Sequence, residues 1–142
     1  MRFWDSSALV PLFVQERHST SAEALVGDDP EMVVWWASHA ECASAVHRLR
    51  REQMLSASDT ARMLADIGAC LEAAAVVLPS DALRTGALRL LATHPLRAAD
   101  ALQLAAALLW AGGAPGACDF VSLDERLREA ALLEGLHVLP AG

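Results

Sequence analysis

Short apolar runs alternate with longer stretches of helical period along this chain. Arg2–Trp4 is apolar-biased and runs into Asp5-Ser6-Ser7, which reads as a buried strand followed by a helix start. A short helix is expected over Ala8–Val14, with Pro11 in its first turn, and another over Ser19–Val26. Gly27-Asp28-Asp29-Pro30 is a loop. Met32–Trp36 is wholly apolar and fits a strand buried on both faces. Ser38 opens a helix to about Gln53, and Ser58 opens another to about Ala74. Val76–Leu78 is a short strand ended by Pro79, and Ser80 caps a helix to about Ala92. His94-Pro95 breaks the chain before an apolar helix over Ala98–Trp110, which Gly112-Gly113 closes. Phe120–Leu123, Glu125–Leu133 and His137–Leu139 complete a strand, helix, strand series. Strands alternating with helices predict an α/β domain whose parallel sheet of about four to five strands is covered on both sides.

With 142 residues the chain is the size of one domain, spanning residues 1–142, and large enough to bury a core. Its apolar fraction of 54% argues against disorder. Asp100 and Gln103 interrupt the most apolar helix, so no membrane span is expected. A carboxylate at the fifth residue leaves no room for a signal peptide. Cys42, Cys70 and Cys118 form no CxxC pair and read as buried reduced thiols of a cytoplasmic protein.

A net charge of −7 argues against tight passive binding to a nucleic-acid backbone, yet suits a pocket that recruits cations. Every basic residue is Arg. Without Lys there is no P-loop lysine, no Schiff-base lysine and no lysine for phosphoaspartate chemistry.

Sites in open parallel sheets form outside the carboxyl ends of the strands. Asp5 follows the first strand and Asp124 the fourth. Glu41 and Asp100 lie in the first turns of their helices, which start at the same edge. Asp119 precedes the fourth strand and belongs at the opposite edge, about 16 Å away. Converging carboxylates repel one another unless cations neutralise them, and hard cations such as Mg²⁺ and Mn²⁺ prefer oxygen ligands. Each acid also has a plainer reading. Ser38-His39-Ala40-Glu41 is a capping box, Asp5 and Asp124 are N-caps, and Asp100 gains from the helix dipole.

Four segments carry a resemblance: Phe3-Trp4-Asp5-Ser6-Ser7-Ala8-Leu9, Ser38-His39-Ala40-Glu41, Leu96 to Ala105 around Asp100, and Phe120 to Leu127 around Asp124. In this order and spacing the sequence resembles the PIN-domain ribonucleases, specifically the VapC-type toxins of toxin–antitoxin pairs. That resemblance implies a three-layer α/β/α fold. It implies that Asp5, Glu41, Asp100 and Asp124 hold Mg²⁺ or Mn²⁺ and that RNA is hydrolysed by a metal-activated water. Ser6 and Ser122 match positions of small hydroxyl residues that support the ligands. The family also implies a homodimer and a cognate antitoxin protein as partner.

RNA needs positive surface beside the acids. Arg97, just before Asp100, is a candidate phosphate contact, whereas Arg48, Arg50 and Arg51 read as a solvated helix face. Trp35 and Trp36 read as core, Trp4 and Trp110 as core or dimer contacts, and His39 as a surface residue of the capping region. The competing reading is a non-catalytic PIN-like module that binds RNA or a protein partner. A phosphotransfer receiver lacks its lysine here, and a haloacid-dehalogenase-like phosphatase would need an acid where Ser7 stands.

Overall fold

The computed structural model describes residues 1–15 and 18–142. Its strands are β1 (Arg2–Trp4), β2 (Met32–Trp35), β3 (Ala75–Val77), β4 (Asp119–Val121) and β5 (His137–Leu139). Its helices are α1 (Ser6–Leu9), α2 (Ser19–Asp28), α3 (Ser38–Arg51), α4 (Ala57–Glu72), α5 (Asp81–Thr93), α6 (Ala98–Ala111) and α7 (Glu125–Leu133). All strand pairs are parallel, in the order β3-β2-β1-β4-β5. No helix among the described residues is long and apolar enough to cross a membrane.

The two-residue period of the strands divides the core between the two faces of the sheet. Phe3, Val33, Trp35, Phe120 and Val138 point to one face and pack against α5, α6 and α7. Trp4, Met32, Val34 and Val121 point to the other and pack against α1, α3 and α4. The result is the three-layer α/β/α arrangement expected from the alternation of elements.

Several boundaries differ from expectation, each for a local reason. The first helix is not continuous over Ala8–Val14: α1 ends at Leu9 and a 3₁₀ turn follows at Val10–Leu12. Pro11 has no N–H to donate to Ser7, so the helical ladder tightens there. Ser56, not Ser58, caps α4, its hydroxyl accepting from the Asp59 N–H at 3.0 Å. Ser80 caps α5 as expected, accepting from Leu83 N–H at 3.1 Å. β2 stops at Trp35, and Trp36 is 60% exposed rather than core. Trp110 is partly exposed as well, whereas Trp4 is fully buried. β4 begins at Asp119, whose carboxylate meets Arg2 Nε at 3.2 Å and His137 Nδ1 at 2.6 Å at the amino edge of the sheet. α6 ends at Gly112, whose φ of +61° favours a residue without a Cβ.

Candidate active site

β1 and β4 are neighbours at the middle of the sheet. The chain winds from β1 through β2 to β3 on one side, and from β4 to β5 on the other. The carboxyl ends of β1 and β4 therefore flank the topological switch point, where open parallel sheets place ligands.

Asp5 leaves β1 directly, and its backbone N–H donates to Val121 O of β4 at 2.9 Å. Its side chain is 3% exposed. Three donors converge on Oδ2: Ser7 Oγ at 2.5 Å, Ser122 Oγ at 3.0 Å and the Ser7 backbone N–H at 3.3 Å. Among the described residues, Oδ1 has only the Ser6 hydroxyl, at 3.5 Å. Burial pushes the Asp5 carboxyl up to about 6; the serine hydroxyls pull it back, and the charge of Glu41 pushes it further up.

Glu41 stands one turn into α3. The capping-box reading of Ser38 and Glu41 fails, because the N-cap is Ala37 and makes no side-chain cap bond. Ser38 is buried and its hydroxyl instead accepts from Gln103 Nε2 at 3.1 Å. The Glu41 carboxylate turns towards β1: Oε2 accepts from Ser6 Oγ at 2.7 Å and from Gln103 Nε2 at 3.3 Å. Ser6 thus joins Asp5 to Glu41.

Asp124 follows β4 and does cap α7, with Oδ1 accepting from Leu127 N–H at 2.9 Å. Its own N–H donates to Ser122 Oγ at 3.2 Å, so Ser122 joins Asp124 to Asp5. Asp100, in the first turn of α6, lines one cleft with Asp124, Arg97 and Arg126. Burial raises the Asp100 pKa first and Asp124 repels its charge, while Arg97 and Arg126 work against both.

Ser6 thus links Glu41 to Asp5, Ser122 links Asp5 to Asp124, and Asp100 shares a cleft with Asp124 while Gln103, one turn further along α6, bonds Glu41. The four acids lie in two neighbouring pairs. Among the described residues no three His, Cys, Asp or Glu side chains are grouped closely enough to hold an ion as they stand. The donor chemistry nevertheless fits a hard divalent cation, since carboxylates and hydroxyls are the ligand set it prefers. Mg²⁺ in particular uses one or two protein carboxylates and keeps several waters. Asp5, Glu41 and Asp124 each fix one oxygen by hydrogen bonds and leave the other without a strong partner. A carboxylate so held is oriented and still able to ligate.

Three supporting residues escaped the sequence reading. Ser7 Oγ donates to Asp5 and also accepts from Leu123 N–H at 2.9 Å, tying β1 to the loop after β4. Gln103 is fully buried and links α6 to α3. The signal was present: it is a polar residue on an otherwise apolar helix, one turn after Asp100. The Arg128 guanidinium donates to the carbonyls of Ser122 at 2.7 Å, Leu139 at 3.0 Å and Pro140 at 2.7 Å. It thereby pins the loop that carries Ser122 and Asp124. Nothing in the sequence pattern sets it apart from other helix-surface arginines. Cys42 lies buried behind the site, where burial and then the charges of Glu41 and Asp5 push its thiol up to about 12.

The model of the PIN domain family matches residues 2–133. A comparison with curated proteins gives no match. Among solved structures, a toxin–antitoxin complex from Klebsiella pneumoniae aligns at 17% identity over 87% of either chain, with a TM-score of 0.59. VapC20 of Mycobacterium tuberculosis, a sarcin–ricin loop cleaving toxin, aligns at 17% identity over 92% of this chain and 95% of its own, with a TM-score of 0.68. FitAcB from Neisseria gonorrhoeae aligns at 13% identity over 97% and 96%, with a TM-score of 0.68. At such identities the likeness shows the fold.

Proposed function

This chain belongs to the PIN-domain family, and on that premise we propose that it is a Mg²⁺- or Mn²⁺-dependent endoribonuclease, the toxin of a toxin–antitoxin pair. The observation that carries the reading is the arc of four acids at the switch point. Three of them are tethered through one oxygen, with at most a long 3.5 Å contact at the other among the described residues. Asp5, Glu41, Asp100 and Asp124 are the residues that would hold the cation. The chemistry such a cation would supply there is a lowered pKa for a bound water and neutralisation of charge on the leaving oxygen of a phosphodiester.

The chain's own residues do the positioning. Ser6 keeps the Glu41 carboxylate beside Asp5, and Ser122 keeps Asp5 in register with the loop of Asp124. Burial of Asp5 restricts water on one side, so its charge acts in a low-dielectric setting. Arg97 stands at the mouth of the Asp100 cleft, where a substrate phosphate would meet it. The toxin–antitoxin complex and the RNA-cleaving toxin among the structural neighbours support an antitoxin protein and RNA as partners. A homodimer in the cytoplasm completes the proposal.

The test is cleavage of a labelled RNA pool by the purified chain with and without Mg²⁺ or Mn²⁺. Metal-dependent cleavage that Asp5→Asn and Asp100→Asn abolish, with circular dichroism unchanged, is the expected result. Undiminished activity in both variants rejects the site. The separation of the acids into two pairs favours a second reading, a module that binds RNA or a protein without cutting. Stable folding and RNA binding with no cleavage under any divalent cation is its signature.

A further inference from the structure

Most of the described arginines are spoken for. Arg2, Arg62, Arg84 and Arg89 make ion pairs with carboxylates. Arg50 and Arg128 donate to backbone carbonyls. Arg48, Arg51, Arg97 and Arg126 remain, all exposed and, among the described residues, with no side-chain hydrogen bond or close ion pair, although the charges of Arg97 and Arg126 act on Asp100 from a distance. Three of these four border the acids. Arg97 and Arg126 line a cleft of about 590 Å³ with Asp100 and Asp124. Arg48 lines a second cleft, of about 370 Å³, with Glu41, Ser6 and Ser7. Both volumes lie in the usual range of ligand sites, roughly 300–1,000 Å³.

The two clefts have different walls, and each is tied to Asp5 by hydrogen bonds. One reaches it through Ser6 and Ser7, the other through Ser122 and Asp124. Arg97 and Arg126 offset the crowded charge of Asp100 and Asp124, yet neither guanidinium closes onto a carboxylate in an ion pair, which leaves their N–H groups able to donate outward. An arginine without an internal partner is a ready donor to phosphate, which its fork matches in geometry. A polynucleotide presents a phosphate on each side of any one linkage, so a strand crossing the acids needs a cation at both ends of the crossing.

We propose that Arg48 on one side, and Arg126 with Arg97 on the other, form two phosphate subsites that hold a single-stranded RNA backbone across the four acids. Arg48 sits on α3, one turn past Ser44 and two past Glu41, on the face turned to α1. Arg126 sits in the first turn of α7, two residues after the capping Asp124. The path therefore runs from the α3 side, over the ends of β1 and β4, to the mouth between α6 and α7. This inference rests on the nucleic-acid reading above and adds the direction of the strand and two residues that grip it.

The experiment is fluorescence anisotropy with a fluorescein-labelled single-stranded RNA of mixed sequence. Ca²⁺ replaces Mg²⁺ so that binding is read without turnover, and affinity is measured at a series of salt concentrations. Arg48→Ala and Arg126→Ala are each expected to weaken binding several-fold. Each should also lower the slope of log affinity against log salt by about 0.7, the value for one lost phosphate contact on a single strand. Arg51→Ala, on the same helix but outside both clefts, is the control and should match the wild type. Because these side chains are exposed and unbonded, none of the variants should lose its fold. If Arg48→Ala and Arg126→Ala both bind as Arg51→Ala does, the proposal is overturned. If only the Arg97 and Arg126 side matters, the two-sided crossing is overturned. Absence of RNA binding by the wild type overturns it as well. Arginine-dependent binding without cleavage in Mg²⁺ or Mn²⁺ would instead sink the nuclease reading and leave the path standing.

Discussion

The Ser122 hydroxyl donates to Asp5 Oδ2 at 3.0 Å, across 117 residues of sequence, and Ser122 Oγ accepts the N–H of Asp124 at 3.2 Å. One small side chain thus sets the spacing between the acids that leave β1 and β4. Ser122→Ala should destabilise the fold by about 1–3 kcal/mol, since two hydrogen bonds at a fully buried site are lost. Its Mn²⁺ affinity should fall about 10–100-fold, the usual effect of removing a residue that orients a ligand. Denaturant unfolding and calorimetric Mn²⁺ titration check the two parts, and an unchanged Mn²⁺ affinity contradicts the role given to Ser122.

Asp5 makes the stability of the metal-free protein depend on pH. Its folded pKa of about 6 lies above the ordinary value of 3.8. The folded chain therefore holds a proton that the unfolded chain releases, and stability tied to this group is full below 3.8 and declines as pH rises through about 6. Replacing the acid by its neutral isostere removes the decline. Compared with the wild type in a chelator, Asp5→Asn should gain relative stability between about pH 4 and pH 7, by an order of 3 kcal/mol. Parallel unfolding curves at every pH would show that Asp5 is ionised alike in both states.

Gln103 separates structure from ligand placement. Its Nε2 serves Ser38 and Glu41, but its buried Oε1 has no partner. Gln103→Leu removes that unpaired carbonyl while keeping the volume, so stability should stay within about 1 kcal/mol of the wild type. The Glu41 carboxylate loses one of its two donors, and Mn²⁺ affinity should drop about tenfold. A variant that binds Mn²⁺ normally would reduce Gln103 to a packing residue.

Arg128 holds three carbonyls with one guanidinium. A lysine ammonium cannot span them in the same plane. Arg128→Lys is expected to lower stability by about 2 kcal/mol or more, with charge retained. Equal unfolding midpoints for the two proteins would mean that solvent replaces the clamp without loss.

The layered fold was legible because its signals are local and redundant. Met32–Trp35, Phe120 and Val121 are apolar on both faces, as a parallel strand buried on both sides must be. Ser80 and Asp124 announced the starts of α5 and α7 by capping chemistry alone. The expected capping box at Ser38 shows where local rules stop. Its two side chains are claimed by partners on α6 and α1 that no short-range pattern reveals. Trp36 misled for a related reason, since an apolar run does not say at which residue the sheet ends. The expectation that the acids share one edge came from the alternation of strands and helices, which implies parallel strands. Which oxygens are tied, and by whom, depends on contacts such as Ser7 to Leu123 that only the folded chain brings together.

The single-oxygen tether has a practical corollary. Asparagine caps helices about as well as aspartate and retains one carbonyl oxygen to accept Leu127 N–H. Asp124→Asn should therefore leave the start of α7 intact while withdrawing a negative charge from the arc. The same exchange at Asp5 keeps an acceptor for one of its donors. If the proposed nuclease function holds, amide isosteres at these two positions should give an inert twin of the protein, unaltered in outline, with which RNA or a protein partner can be captured at leisure.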